Sequence, residues 1–180
     1  MPYLLDAKTT GQRLLHDDAL RCPTCAVALQ PWQGPFMPMK GRQPDIAVSA
    51  EDVPFVSQHL HDLLMETGVS AVRFTAVGNR FVLQPGREVF WDFGEARAYR
   101  DEPLCKTCGY EHSLLAERPW ELRLLAGQNP IGATDIVTTA QRTGSPGNCS
   151  LDLIFGDTLF ERLKEQVSGI QDAHFFANPV

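Results

Sequence analysis

The sequence lacks any long apolar run. No stretch approaches the roughly 18–20 consecutive apolar residues that a membrane helix needs. Its start, MPYLLDAKTTGQRLLHDD, has no basic segment followed by an apolar one, as a secretory signal would have. We therefore expect a cytoplasmic protein that does not act at a membrane.

Basic residues are also scarce. Lys and Arg total 16 against 22 Asp and Glu, which gives a formal net charge of -6. Contacts to phosphates need clustered basic side chains, so this balance argues against binding to nucleic acid. It permits a basic protein partner, although many cytosolic proteins are equally acidic.

Motifs of the common enzyme classes are missing. The sequence contains no G-x-S-x-G, no P-loop, no H-E-x-x-H and no dinucleotide fingerprint. Acidic residues such as Asp92, Glu95 and Asp101 are scattered, which is typical of a solvated surface. The sequence predicts a protein that is not an enzyme.

Length and composition favour a folded core. A chain of 180 residues that is 43% hydrophobic can bury one sizeable core. We predict one domain over residues 1–180, which can be subdivided into 1–110 and 111–180.

The first half predicts one helix and three strands. Ser49 suits a helix N-cap, and apolar residues recur three or four apart over residues 49–67. His59 and His61 on this helix are expected to face solvent. The stretches VSAVRFTAV, RFVLQ and REVFWDF are separated by Gly-Asn and Pro-Gly turn signals, which predicts an antiparallel meander.

The second half predicts further strands at WELRLLAG, DIVTTA, SLDLIF and DAHFFA, with QRTGSPGN as a loop. A helix is expected from Asp157 to about Ser168. The predicted fold class is α+β, a mostly antiparallel sheet with a few packed helices. Residues 30–44 are rich in Pro and Gly and predict an irregular loop. Trp32 and Phe36 in this loop are expected either to be exposed or to pack against a metal site.

Two cysteine pairs carry the chemistry of the sequence. Cys22 and Cys25 form one C-x-x-C pair, and Cys105 and Cys108 form another. One tight turn with this spacing aims both sulfurs at one ion, and two facing turns give a tetrahedral all-sulfur site. We predict that these two knuckles join in one structural zinc site, because four protein ligands leave no open position for catalysis. The fifth cysteine, Cys149, is expected to be a buried or loop thiol.

The residues leave three other interpretations of the pairs open. Four thiolates could hold iron, since the ligands alone do not choose the metal. CPTC could be a thioredoxin-like redox pair, which requires that it open a helix. The thiols could also be structural with no metal. His16 and His112 lie near the pairs and could replace a ligand.

The chain resembles the bacterial double-CXXCG motif proteins, a group that includes immunity proteins of swarming-inhibition toxin systems. The residues that carry the resemblance are CPTC at 22–25, CKTCG at 105–109, and the ending DLIFGDTLFERLKEQVSGIQDAHFFANPV. The chain departs from the family at Ala26, which stands where the first motif has Gly, and it is short for the group.

What the resemblance implies is an immunity protein that binds a toxin made by the same cell and blocks it. An acidic surface would suit a basic toxin, since complementary charge speeds association. The alternatives are a zinc-stabilised adaptor or regulatory protein and a thiol redox protein.

Overall fold

The computed structural model describes most of the chain. The described residues are 2–7, 10–26, 28–29, 32–69, 71–92, 98–100, 105–108, 114–116, 122–145 and 148–177. They form two helices and thirteen strands, an α+β fold in which most neighbouring strands are antiparallel, as the sequence predicts. The strands are β1 Tyr3–Ala7, β2 Ile46–Val48, β3 Pro54–Ser57, β4 Val72–Val77, β5 Arg80–Pro85, β6 Glu88–Val89, β7 Trp91–Asp92, β8 Ala98–Arg100, β9 Leu114–Ala116, β10 Leu122–Leu124, β11 Ile136–Ser145, β12 Asn148–Phe155 and β13 Ile170–Ala177. The helices are α1 Gln58–Glu66 and α2 Asp157–Leu163.

The strands form three sheets. The largest has the order β6-β11-β12-β1-β13-β10-β7, and the second has the order β2-β3-β5-β4. Strands β8 and β9 pair separately. Only the β6–β11 and β10–β13 pairs among the described strands are parallel. The first strand of the chain thus lies at the centre of the large sheet, between β12 and β13.

The main core joins both helices to both larger sheets. Side chains alternate between the two faces of a strand, so Leu153 and Phe155 enter this core while Ile154 between them enters another cluster. Burial of such large apolar side chains is the main source of stability, at about 1.5–3 kcal/mol for each one. The buried members are Ile46, Val56, Leu60, Leu64, Leu83, Ile136, Leu153, Phe155, Leu159, Phe160 and Leu163.

The segment of residues 10–45 covers the other face of the four-stranded sheet. Leu14 from this segment packs with Val82 of β5, and Trp32, Phe36 and Met39 lie partly buried against them. The segment is irregular, as predicted, and its described residues form only isolated bridges such as Leu15↔Phe36. The expectation that the two aromatic rings are exposed is wrong, because both are partly buried against this cluster.

The predicted helix over 49–67 is wrong in its first half. Its residues up to Ser57 belong to a β-hairpin in which β2 pairs antiparallel with β3, and α1 begins only at Gln58. The Ser49 hydroxyl accepts the backbone N–H groups of Glu51 and Val53, so it stabilises the hairpin turn. Ser57 caps the helix by accepting the N–H of Leu60. The prediction failed because the apolar residues keep a helical spacing through both β3 and α1.

The predicted third strand of the meander is also wrong. Strands β4 and β5 pair as expected, but REVFWDF divides into β6 and β7, which both join the large sheet. Gly86 lies between β5 and β6, where an added Cβ would meet the Ala71 carbonyl oxygen at 1.9 Å. This close approach to Ala71, the residue before β4, accompanies the change of sheet. Phe93 lies outside the described residues.

In the second half, the expected strands form with different bounds. The predicted loop QRTGSPGN is largely strand, since β11 continues to Ser145 and β12 begins at Asn148. Helix α2 ends at Leu163, before the predicted Ser168. Strand β10 spans only the centre of WELRLLAG.

A carboxylate holds the two larger sheets together. Asp45 accepts hydrogen bonds from the Ser57 hydroxyl at 2.7 Å and from the Ser168 hydroxyl at 2.7 Å and N–H at 2.9 Å. The Ser168 carbonyl accepts the N–H of Ile46 at 3.1 Å. Burial raises the pKa of Asp45, but the hydrogen bonds from Ser57 and Ser168 together outweigh it and lower the pKa below 3.8. This link explains why α2 stops short, because its last predicted residue is needed beside β2.

The two histidines of α1 lie in different surroundings. His59 is exposed, as predicted. The prediction for His61 is wrong, since its ring stacks on Phe81 at 4.0 Å and meets the edge of Phe74 at 4.7 Å. Neither helix in the described part of the chain is long and apolar enough to cross a membrane.

Candidate metal centre

The first knuckle is a tight turn closed by a short hairpin. The Ala26 N–H donates to the Cys22 carbonyl at 2.8 Å. Arg21 and Ala28 form an antiparallel bridge at its base, and the Leu29 N–H donates to the Leu20 carbonyl at 2.9 Å. CPTC therefore does not open a helix, which is the condition that a thioredoxin-like pair requires.

The second knuckle lies between two paired strands. Cys105–Cys108 form a turn in the connection from β8 to β9, which pair antiparallel with Tyr99 opposite Leu115. Gly109 and His112 lie outside the described residues.

The fold brings the four cysteine sulfurs together. All four Sγ atoms lie within 4.8 Å of one another. Cys22 Sγ is 3.8 Å from Cys105 Sγ, and Cys25 Sγ is 3.6 Å from Cys108 Sγ. A tetrahedral ion with bonds of about 2.3 Å to sulfur separates its ligands by about 3.8 Å, whereas a disulfide needs about 2.05 Å. The four cysteines form no disulfide, and their arrangement could hold a metal ion.

The two knuckles face each other with like positions opposed. The first cysteine of one pair meets the first of the other, and the second meets the second. Thr24 and Thr107, which share the third position of each motif, join their hydroxyls at 2.6 Å. The centre therefore has approximate two-fold symmetry, although its halves are 83 residues apart in sequence.

Backbone amides favour the thiolate form of the first cysteine in each pair. The N–H of Cys25 is the largest cause that lowers the pKa of Cys22, with burial opposing and the N–H of Thr24 assisting. In the second knuckle, the N–H groups of Cys108 and Thr107 lower the pKa of Cys105 to about 6. The thiolate is the form that binds metals, so these turns prepare the sulfurs for a cation.

Solvent access divides the four cysteines into two layers. Cys22 and Cys105 are buried, with 2% and 8% of their surface exposed. Cys25 and Cys108 are half-buried. We refer to Cys22 and Cys105 as the inner pair, and to Cys25 and Cys108 as the outer pair.

An ion-pair network fixes the first knuckle to the fold. The Arg21 Nη1 atom donates to the Ala26 carbonyl at 3.2 Å, and its Nη2 atom lies 3.8 Å from a Glu51 carboxylate oxygen. Glu51 is itself held by the Leu14 N–H at 2.9 Å and by Arg13 Nε at 3.3 Å. Sequence reasoning missed both Arg21 and Glu51. The position of Arg21 directly before Cys22 was a usable signal, but nothing in the sequence linked it to Glu51.

Ala26 has the backbone conformation that favours glycine. Its φ is +58°, in the left-handed region that L-residues adopt at a cost. This is the position at which the chain departs from the family motif.

Among the described residues, the four cysteines form the one group of His, Cys, Asp or Glu side chains that could hold a metal ion. His16 is not part of it, because its Nδ1 atom lies 3.1 Å from the Asp18 carboxylate. Cys149 lies on β12.

No protein-family model, curated protein or solved structure matches the chain.

Proposed function

We propose that this chain is an immunity protein that binds and neutralises a toxin, and that its four cysteines hold a structural zinc ion. The observation that carries the proposal is the convergence of two knuckles on one four-sulfur centre. Such a centre has no free coordination position, so it supports a fold and does not activate water.

Zinc fits the centre for two reasons. Its preferred tetrahedral geometry matches the 3.6 and 3.8 Å separations of the facing sulfurs. It is also redox-inert, which suits a role limited to structure. Iron with four thiolates is the alternative metal, and metal analysis separates the two.

The ion would join two parts of the chain that lie far apart in sequence. The first knuckle belongs to the irregular segment of residues 10–45, while the second belongs to the β8–β9 connection. Binding of the metal joins these two regions, and its binding energy becomes part of the folding energy.

The first knuckle presents a surface that could bind a protein. Leu20 and Leu29 oppose each other at its base and are 58% and 41% exposed. Their neighbour Arg21 lies toward Glu51, so the alternation of side chains directs the leucines away from the fold. Asp17, three residues before Leu20 in the sequence, pairs with Arg13 at 2.8 Å and has a side chain that is 82% exposed.

An apolar pair with nearby carboxylates suits a partner that combines apolar and basic groups. This agrees with the acidity of the chain, which suits a basic toxin, and with the toxin partner that the resemblance implies. A few apolar side chains can supply most of the binding energy of an interface. We therefore place the toxin contact at the first knuckle.

The test is co-expression with the protein encoded next to this chain. That protein is produced in a sensitive cell with and without the chain, and survival and co-purification are measured. The proposal predicts killing by the neighbour alone and rescue by a stable complex. A harmless neighbour, or killing despite the chain, would move the adaptor interpretation ahead.

Two charge substitutions locate the contact. Leu20→Glu together with Leu29→Glu should abolish co-purification and rescue. The matched control is Met65→Glu, which places the same charge at a residue of α1 that is also 58% exposed. Rescue that survives in both variants would show that the toxin binds elsewhere.

A further inference from the structure

The four-cysteine centre also has the geometry of an oxidative cross-linking site. We infer that a peroxide converts it into two disulfides that join one knuckle to the other, Cys25 to Cys108 first and Cys22 to Cys105 second. This inference concerns the thiols themselves, so it applies to the metal-free chain as well as to the loaded one.

Proximity favours partners on opposite knuckles. The facing sulfurs are already 3.6 Å apart in the outer pair and 3.8 Å apart in the inner pair. A shift of less than 2 Å brings each pair to the roughly 2.05 Å of a disulfide. The Cys22 and Cys25 sulfurs also lie within 4.8 Å of each other, but the turn that they share is held by the Ala26 N–H to Cys22 carbonyl bond and by N–H contacts to the Cys22 sulfur.

Solvent access sets the order of oxidation. The outer pair is half-buried, so a small oxidant can reach its sulfurs. The inner pair is shielded, with Cys22 only 2% exposed and Cys105 only 8% exposed. Oxidation depends on both thiolate character and exposure. The lowered pKa values of Cys22 and Cys105 favour the inner pair, but an oxidant must first reach the sulfur, so we expect exposure to set the order and the outer pair to react first.

The chemistry balances with hydrogen peroxide as the oxidant. One outer thiolate attacks a peroxide oxygen, the O–O bond breaks, and a sulfenic acid and a hydroxide form. The facing thiolate then attacks the sulfenic sulfur, the S–S bond forms, and a second hydroxide leaves. Each disulfide thus consumes one peroxide and removes two ligands from any bound metal.

Cross-linking would preserve the connection that the metal provides. Both disulfides span the same 83-residue separation between the two knuckles. A closed loop of this length strongly restricts the unfolded chain. The oxidised protein should therefore remain folded after it loses its metal, whereas disulfides within each pair would leave the knuckles unconnected.

The experiment maps disulfides in a Cys149→Ser background, so that only the four thiols can react. Metal-free and zinc-loaded protein each receive one and then two molar equivalents of hydrogen peroxide. Digestion with trypsin without reduction cuts after Lys106 and so separates Cys105 from Cys108. Mass spectrometry then identifies which peptides are joined, and fragmentation distinguishes Cys22 from Cys25 in the 22–40 peptide.

The expected result is the Cys25–Cys108 link after one equivalent and both cross-knuckle links after two. The zinc-loaded sample should release its metal in parallel. Links within each pair, or sulfinic acid in place of disulfides, would overturn the inference. A sample that never held zinc still gives a disulfide map, so failure of the proposed metal is distinguished from failure of this inference.

A second variant tests the order. With Cys25→Ser and Cys108→Ser together, only the inner pair remains, and its oxidation should be at least tenfold slower than that of the outer pair in the parent. Equal rates would contradict the role of burial. Circular dichroism of the oxidised parent provides a further readout, with a melting temperature above that of the reduced metal-free protein and a return to it after reduction.

Discussion

Replacing Ala26 with glycine should stabilise the protein. Ala26 has a φ of +58°, and an L-residue in this region costs about 1–2 kcal/mol relative to the right-handed conformation. Glycine removes this cost but gives the unfolded chain more freedom, which opposes by about 0.4–1 kcal/mol. Ala26 is exposed, so its Cβ contributes no buried packing. The expected net gain is about 0.5–1 kcal/mol.

The gain is measurable as a shift in melting temperature. A chain of this size shifts by about 2–4 °C per kcal/mol, so the variant should melt about 1–4 °C higher than the parent. Thermal denaturation followed by circular dichroism provides the assay. The matched control is Ala28→Gly in the same knuckle, because Ala28 is not among the described non-glycine residues with positive φ. The control should melt at a lower temperature. If both variants lose stability equally, the knuckle does not have the conformation on which the metal centre depends.

Three further perturbations test the Asp45 link between the two larger sheets, the close approach of Gly169 to the backbone of Ile46, and the lowered pKa of Cys105. Asp45→Asn keeps the side-chain shape but loses charge-assisted hydrogen bonds, so urea unfolding should show a loss of about 1.5–3 kcal/mol, and no loss would contradict the link. Because the folded-state pKa of Asp45 is below 3.8, the parent should keep this contribution above pH 4 and lose it as the pH falls through the lowered value, while the variant should lack this step. Gly169→Ala should destabilise the fold far more than Gly127→Ala. Both glycines have positive φ, but only a Cβ at residue 169 would lie 2.1 Å from the Ile46 carbonyl oxygen. Equal melting temperatures of the two variants would contradict this close approach. In the metal-free chain, the ultraviolet absorbance of thiolate should first rise near pH 6, as Cys105 ionises. Because the folded-state pKa of Cys105 is below the ordinary 9.0, its contribution to the stability of the fold should be complete above pH 9 and lost as the pH falls toward 6. A first rise near pH 9 would contradict the contacts from the backbone amides.

Local sequence patterns were sufficient for several features. Strands β4 and β5 follow from alternating residues around the Gly78-Asn79 turn, and they form as predicted. The cysteine cluster was predicted because the spacing within each pair is a property of one turn, and because two such pairs favour a shared ion. The two pairs could be assigned to one site from their spacing alone, although they lie 83 residues apart in the sequence.

Long-range partners could not be predicted in the same way. The start of α1 was missed because the hairpin before it happens to repeat apolar residues at helical spacing, and pairing with β2 determines the outcome. Strands β6 and β7 leave the meander because their partners, β11 and β10, lie far along the chain. The Asp45–Ser168 and Arg21–Glu51 contacts each join distant segments, so no local pattern indicates them. The domain boundaries, the toxin partner and the absence of catalysis stay predictions.

Metal content shows directly whether the four cysteines hold a zinc ion. The chain is purified under reducing conditions without added chelator, and zinc and iron are quantified per protein by mass spectrometry, beside Cys105→Ser. A structural zinc site predicts about one zinc per wild-type chain and none in the variant. The variant should melt about 8–16 °C lower if the ion contributes about 4 kcal/mol. A metal-free wild type whose melting temperature equals that of Cys105→Ser would contradict the four-cysteine site.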